Sequence, residues 1–301
     1  MQPIAIDQWG LIGIGLMGTA IAKRLRHWDQ HVVGWDPDPT RRAALTEIGG
    51  RAASSSSDVF HRCNILLLSL PNSSIASQVI EEQWDDLRPS TLLIDTTTGD
   101  PQEMLALGER IHRGGKGIYV EACISGSSQQ LEQGSATILL GGSPEHTDGI
   151  GTILESYLGQ VIRTGKLGTG SKAKLLTNLV LGLNRAALAE GLYFASLLGM
   201  DPNTALHLLQ STMAYSRIMD TKGAKMVNRD FSPVAKLSQH RKDVLLMLDW
   251  AREQNTQLPL TQAHSELLQE AMQLGWGDED NSAILNAWLH QAKGDERWQP
   301  S

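Results

Sequence analysis

The sequence predicts an α/β half followed by an all-α half: a doubly wound, mostly parallel sheet over residues 1–164, then a helical domain over residues 165–301 that opens with one long helical segment. Three observations predict this. Short β-like runs alternate with helical patterns through the first half, which argues for repeated βαβ units. One run, Ile65–Leu70, is almost continuously apolar, as a strand covered on both faces should be. After about residue 164 the β-like runs stop and helical periodicity takes over.

In order, the runs are Trp9–Ile14, His31–Asp36, Ile65–Leu70, Thr91–Asp95, Gly117–Glu121, Ala136–Leu140 and Gln160–Arg163. The helices between them have recognisable starts. Asp58 closes the serine run Ser54–Ser57, Ser73 and Ser74 follow Pro71, and Asp100-Pro101 offers a side-chain cap with proline at the first turn. The second half reads as a long segment from Ser171 to Leu198, then Thr204–Gln210, Tyr215–Val227, Lys236–Arg252, Thr261–Leu274 and Ser282–Ala292. Asp201-Pro202, Ser232-Pro233 and Gly275–Asp280 punctuate it.

With 301 residues, 41% of them hydrophobic, the chain can bury sizeable cores, and disorder is not expected. A net charge of -7 offers no broad basic field, so nucleic acid is not expected as a partner. Cys63 and Cys123 are the only cysteines and form no paired motif, which excludes a disulfide framework and a thiolate zinc site and fits a reducing compartment. No signal peptide is expected, because the first residues enter a β-like stretch without a basic flank and long apolar segment. The one long apolar segment contains Lys172, Lys174, Arg185 and Glu190, so no membrane span is expected either. The expected location is the cytoplasm.

Gly13-Ile14-Gly15-Leu16-Met17-Gly18 has the spacing G-x-G-x-x-G, directly after the first run and opening a helical pattern that reaches Trp28. In a dinucleotide-binding turn the first glycine makes the bend, the second admits the pyrophosphate and the third lets the helix pack closely. Free N–H groups at the helix start hold the phosphates. A ligand-free turn is the plain alternative, but strand, motif, helix and second strand fall within about 30 residues, which favours the nucleotide. Asp36 ends the second run, where a carboxylate accepts hydrogen bonds from ribose hydroxyls and repels a 2′-phosphate. That favours NAD over NADP. Arg41-Arg42 opposes it, readable as a phosphate grip or as a solvated helix face.

Near the middle, Gly165, Gly168, Gly170, Lys174 and Asn178 are spaced G-x-x-G-x-G-x-x-x-K-x-x-x-N. Four residues apart, Lys174 and Asn178 share one face of a helix. The segment that carries them is apolar on nearly every side, and such a helix is expected to be buried. A lysine there is tolerated when the ammonium has a partner or a task. From these residues alone a catalytic lysine and a structural, snorkelling one stand level.

These segments, with others in register, resemble the β-hydroxyacid dehydrogenase family, which includes 3-hydroxyisobutyrate dehydrogenase, tartronate semialdehyde reductase and the glyoxylate and succinic semialdehyde reductases. The resemblance spans nearly the whole chain and extends to 6-phosphogluconate dehydrogenase. Its other members are Glu121-Ala122-Cys123-Ile124-Ser125-Gly126-Ser127, similar to D-A-P-V-S-G-G; Ile94-Asp95-Thr96-Thr97-Thr98 with Pro101, similar to D-x-S-T-x-x-P; and Lys242-Asp243 after Phe231. The resemblance implies a Rossmann-type NAD(P)-binding domain, a long interdomain helix, and a helical domain for substrate and oligomerisation. It implies Lys174 as the catalytic lysine, with Ser125, Gly126, Ser127, Asn178, Phe231 and Asp243 on the substrate side. Leu70, Pro71, Thr97, Thr98 and Lys242 join Gly13–Gly18 and Asp36 as cofactor contacts. A small carboxylate substrate and a homodimer or homotetramer are further implications. Glu121, Cys123 and Ser127 depart from the family's aspartate, proline and second glycine.

The chemistry so implied is hydride transfer between nicotinamide and a small β-hydroxy acid or its semialdehyde, without a metal. Lys174 as an ammonium donates a proton as negative charge gathers on the carbonyl oxygen, while Ser125 and Asn178 orient it. In the oxidising direction Lys174 must first be neutral, so oxidation should rise with pH. None of the nine histidines has a metal-ligand spacing, and scattered surface or satisfied roles are expected for all, His240 being the one close enough in sequence to Lys242 to be considered for lining the site. Tyr215, Ser216 and Arg217 are candidates for the substrate's far end, Arg217 equally for the surface or a subunit contact. Two alternatives stand beside this reading. Imine reductases usually replace the lysine, and a non-catalytic nucleotide-binding sensor would not need Lys174, Asn178 and Ser125 together.

Overall fold

The computed structural model describes residues 8–291. Contacts divide the chain into two compact units, one ending at Lys174 and the next beginning at Leu175. The first unit is built on strands β1 (Trp9–Ile12), β2 (Val32–Trp35), β3 (Arg51–Ala52), β4 (Ile65–Leu68), β5 (Leu92–Asp95), β6 (Ile118–Ser125), β7 (Thr137–Gly141) and β8 (Gln160–Gly165). They form one sheet in the order β3-β2-β1-β4-β5-β6-β7-β8. Every neighbouring pair is parallel except β6 with β7. Between the strands run α1 (Leu16–His27), α2 (Pro39–Glu47), α3 (Ser56–Arg62), α4 (Ser73–Glu82), α5 (Pro101–Arg113), α6 (Ser128–Glu132) and α7 (Pro144–Tyr157).

The doubly wound sheet follows from strands that are apolar on both faces. In β4, Leu67 joins a core with Leu11, Ile94 and Val120, while Leu66 and Leu68 join another with Ile12, Leu93 and Met104. All seven expected runs are strands. The sequence did not announce β3, whose two exposed residues carry no apolar pattern. The run at Gly117–Glu121 continues to Ser125, because Ala122–Ile124 are buried and pair with β7. The helix start at Asp100-Pro101 matches, with Asp100 accepting hydrogen bonds from the Gln102 and Glu103 N–H groups, whereas α3 and α4 are capped by Ser55 and Asn72, and Asp58, Ser73 and Ser74 lie inside the helices.

Strand order reverses at β1, which has β2 on one side and β4 on the other. Ligands of such sheets bind beyond the carboxyl ends of the strands at this switch. Gly13 and Ser69 sit there.

From Thr169 the chain runs as α8 (Thr169–Leu197), 29 residues long. The second unit continues through α9 (Pro202–Gln210), a π-helical turn Met219–Gly223, α10 (Ala224–Val227), α11 (Leu237–Glu253), α12 (Pro259–Gln273), a 3-10 turn Asn281–Leu285 and α13 (Asn286–Gln291). Its core gathers Leu188, Leu192, Met226, Leu237, Val244, Leu268 and Ile284. Two expectations are corrected. Tyr215–Val227 is not one helix: it begins only at Met219, in a wide turn where Gly223 lies against Leu206 and Lys222 reaches the buried Asp280 carboxylate at 2.7 and 2.8 Å. Nor is α8 buried all round, for Leu176 and Phe194 are 65% and 57% exposed. The last expected helix starts as the 3-10 turn, and Ala292 lies outside the described residues. Among the described residues no helix is long and apolar enough to cross a membrane.

Candidate active site

The glycine-rich turn is built as its spacing requires. Gly13 has φ +91°, and a Cβ there would lie 2.3 Å from the Ser69 carbonyl oxygen. On Gly18 it would lie 2.0 Å from the Gly13 oxygen, so only glycine lets α1 start this close to β1. Gly15 differs, since the nearest atom to its Cβ position is Arg41 Nη1 at 4.0 Å. No side chain caps α1. A bent, open turn with uncapped helix N–H groups is a cradle that fits a pyrophosphate. Leu16 and Met17 continue it into α1, Leu16 being exposed.

Asp36 follows β2 and is 2% exposed. Its Oδ2 accepts from Ile14 N at 2.8 Å, and its Oδ1 from Asp38 N at 2.9 Å. The ribose-binding carboxylate expected here is thus tied to the glycine turn itself. Arg41 pairs with Asp36 at 3.4 Å and with Asp38 at 3.6 Å, while Arg42 donates to the carbonyls of Asp36 and Pro37. Beyond β4, Leu70 N donates to Thr97 Oγ1 at 3.2 Å, which links the Leu70-Pro71 turn to the Thr97-Thr98 turn after β5.

Lys174 lies in the second turn of α8 and is 8% exposed. Its Nζ donates to the Ile124 carbonyl oxygen at 2.7 Å, on the residue before Ser125. The lysine is therefore fixed at the end of β6, where Ser125, Gly126 and Ser127 begin the next turn. Gly126 has φ +149°. Ser127 caps α6: its hydroxyl accepts from Gln130 N, and its own N–H donates to Gln130 Oε1. The hydroxyl that stands where the family has glycine is thus engaged as an acceptor within the chain.

In the helical unit Asn178, one turn beyond Lys174 on α8, donates from Nδ2 to Asp243 Oδ2 at 2.8 Å. Lys242 Nζ stands 3.1 Å from Asp243 Oδ1. The structure so gathers three of the expected residues on α8 and α11. Phe231 is buried in this unit, edge-on to Trp276. Tyr215 and Arg217 are exposed, and the Tyr215 hydroxyl donates to Asp220.

Sequence reasoning missed several groups. Glu121, seen only as a departure, is fully buried and accepts hydrogen bonds from the start of α8 at Gly168, Gly170 and Ser171. The signal available was a carboxylate in a strand with a glycine-rich helix start downstream. Asp95 is buried beside it, its carboxyl pushed up to about 6 by burial and by the Glu121 charge, against hydrogen bonds from Thr97 and Tyr119. Burial also pushes the Cys123 thiol up, which leaves it inert. The histidines are not all scattered. His240 and His264 are buried with ring centroids 5.2 Å apart, against Gly182 of α8. Burial, then the Arg185 charge, lowers the His264 ring to about 3. Among the described residues no three His, Cys, Asp or Glu side chains gather as metal ligands.

Comparison with known proteins covers both halves. A profile for the NAD binding domain of 6-phosphogluconate dehydrogenase matches residues 8–165, and one for NAD-binding of NADP-dependent 3-hydroxyisobutyrate dehydrogenase matches residues 168–288. Over 93% of its length the chain is 29% identical to 94% of 2-(hydroxymethyl)glutarate dehydrogenase of Eubacterium barkeri. It is also 26% identical, over 92% of its length, to cytokine-like nuclear factor N-PAC of Drosophila melanogaster, of which the match spans 46%. In fold it is similar to a 3-hydroxyisobutyrate dehydrogenase of Salmonella typhimurium, with TM-score 0.83 at 22% identity over 93% of this chain and 99% of that one. The cofactor is NAD(P), as the two profiles indicate and as the glycine cradle fits.

Proposed function

The chain belongs to the β-hydroxyacid dehydrogenase family, and from that premise we propose that it interconverts a small β-hydroxy acid and its semialdehyde, with Lys174 as general acid and base and no metal. The observation that carries this reading is the Lys174 ammonium, buried and held at 2.7 Å on Ile124 at the mouth of the Ser125–Ser127 turn. When bound, the nicotinamide supplies or accepts the hydride. Gly13–Gly18 and the start of α1 hold the pyrophosphate, Asp36 the ribose, and Leu70, Pro71, Thr97, Thr98 and Lys242 complete the cofactor side. In reduction, Lys174 donates a proton to the carbonyl oxygen as charge develops there. In oxidation, neutral Lys174 accepts the hydroxyl proton. Ser125, Gly126 and Ser127, with Asn178, Phe231 and Asp243, orient a small carboxylate substrate.

Asp36 favours NAD over NADP, because a 2′-phosphate would meet a buried carboxylate. Residues 1–164 serve the cofactor, and residues 165–301 serve substrate binding and assembly into a homodimer or homotetramer. The cytoplasm is the proposed location.

The test is oxidation of NADH and NADPH, followed by absorbance, with glyoxylate, succinic semialdehyde, tartronate semialdehyde and methylmalonate semialdehyde, beside Lys174→Ala. In the other direction, 2-(hydroxymethyl)glutarate is offered with NAD. The proposal expects turnover with at least one, abolished in the variant while cofactor binding persists. Cofactor binding without turnover on any of them, even at high enzyme concentration, would contradict it and favour a sensor.

A further inference from the structure

We infer that Glu121 is a positioning residue: its buried carboxylate fixes the start of α8 on β6 and thereby sets where the Lys174 ammonium stands. The role attached to Lys174 rests on the function proposed above; the geometry of the anchor does not.

The start of a helix leaves four N–H groups without partners, and a neighbouring side chain normally caps them. Here the cap comes from another element. Glu121 Oε2 accepts from Gly168 N at 2.5 Å and Gly170 N at 3.2 Å, and Oε1 accepts from Ser171 N at 3.0 Å and Ser171 Oγ at 2.5 Å. Glu121 and Ser171 are 0% and 1% exposed, so these bonds are made out of water, where charge-assisted hydrogen bonds are strongest. The positive end of the helix adds its attraction for the anion.

The surroundings are shaped for the carboxylate and the close approach it demands. A Cβ on Gly170 would lie 2.8 Å from Glu121 Cβ, and one on Gly141 would lie 2.7 Å from Glu121 Oε2. Gly168 has φ +87°, which turns the chain so that its N–H reaches the carboxylate. Three glycines thus serve one side chain.

A second tether lies alongside. Three residues on from Glu121 is Ile124, and three residues on from Ser171 is Lys174, whose Nζ meets the Ile124 oxygen at 2.7 Å. Over three residues a strand advances roughly 10 Å and a helix roughly 4.5 Å, and the four-carbon stem of lysine spans the difference. Held at both points, α8 cannot slide or rotate against β6 without displacing the ammonium. Loss of the Glu121 anchor removes four bonds between β6 and the start of α8 and leaves the Lys174 contact, which must also serve the reaction, to carry more of the positioning. A displacement of about 1 Å at a reacting group can cost about 100-fold in rate.

The test uses the full-length protein. Glu121→Gln keeps the size of the side chain, removes its charge and converts one acceptor into a donor that faces N–H groups. We expect kcat to fall about 10- to 100-fold with the KM for NADH within about twofold, and Glu121→Asp to recover part of the loss because it restores the charge. A crystal structure of Glu121→Gln should show Lys174 Nζ moved off Ile124. Unchanged kcat, or an Nζ still seated on Ile124, overturns the inference. If Glu121→Gln does not fold, Ser171→Ala removes one of the four bonds and should give a smaller loss of kcat with the same unchanged KM; no loss overturns it. If the wild-type protein turns over none of the substrates above, the functional reading falls, and the position of Nζ in the variant structure still decides the anchor.

Discussion

Each unit buries a charge close to α8, and the two are treated differently. In the sheet unit the Glu121 carboxylate is fully buried and meets four donors. In the helical unit Arg185 is 1% exposed, yet its Nε and Nη2 have no hydrogen-bond partner among the described residues. The carboxylate nearest to it in electrostatic effect, Asp280, is engaged by Lys222, Val234, Ala235 and Ser282. Burial accordingly lowers Arg185 to about 10. A satisfied buried charge orders its neighbourhood, whereas an unsatisfied one costs stability and perturbs its neighbours.

The largest expected effect of that contrast is on His264. Its ring is lowered from 6.5 to about 3, chiefly by burial and then by Arg185. A depressed histidine stabilises the folded state in full above the ordinary value and loses that contribution as pH falls toward the folded value. Between about pH 7 and about pH 4, wild type should lose roughly 3 kcal/mol more than His264→Gln in urea unfolding. Equal losses would show that the ring is not held neutral.

Next is Asp95, raised from 3.8 to about 6 mainly by burial. A raised carboxylate contributes most below its ordinary value, and that contribution is lost as pH rises through the folded value. Relative to wild type, Asp95→Asn should therefore be more stable at about pH 8 than at about pH 4, by about 2 kcal/mol. Without that pH dependence, burial does not raise the Asp95 carboxyl.

Arg185→Met sharpens the comparison directly. Replacing an unsatisfied guanidinium with an apolar chain of similar length should raise stability by about 1 to 3 kcal/mol, read as a higher urea midpoint at unchanged slope. A fall would mean that Arg185 is satisfied after all. The smallest effect concerns Asp36, whose charge is buried but tied to Ile14 and Asp38. Asp36→Asn should move the NADPH-to-NADH ratio of kcat/KM upward about tenfold, and no movement would remove Asp36 as the selector.

Much of the sheet unit was legible because its signals are local. Apolar runs such as Ile65–Leu70, the glycines at 13, 15 and 18, and the cap at Asp100-Pro101 each declare their element within a few residues. β3 was not, since two exposed residues form a strand only through pairing with β2. Where motif and chemistry coincide, at Lys174, Asn178 and Asp36, the residues that the sequence nominates are buried in the structure. The site was opaque where function depends on partners far along the chain. Nothing near Glu121 reveals that it meets residues 47 to 50 positions away. The same holds for Lys222 with Asp280, 58 positions apart, and for the two histidines that meet over Gly182.

The most direct test of the account is the rate of hydride transfer in a single turnover, read by absorbance of NADH mixed with the preferred semialdehyde, in wild type and Lys174→Ala, with NADH affinity measured separately. The account predicts transfer slowed by at least about 100-fold with NADH affinity within about threefold of wild type. Transfer at the wild-type rate in the variant would contradict it and remove Lys174 from the chemistry.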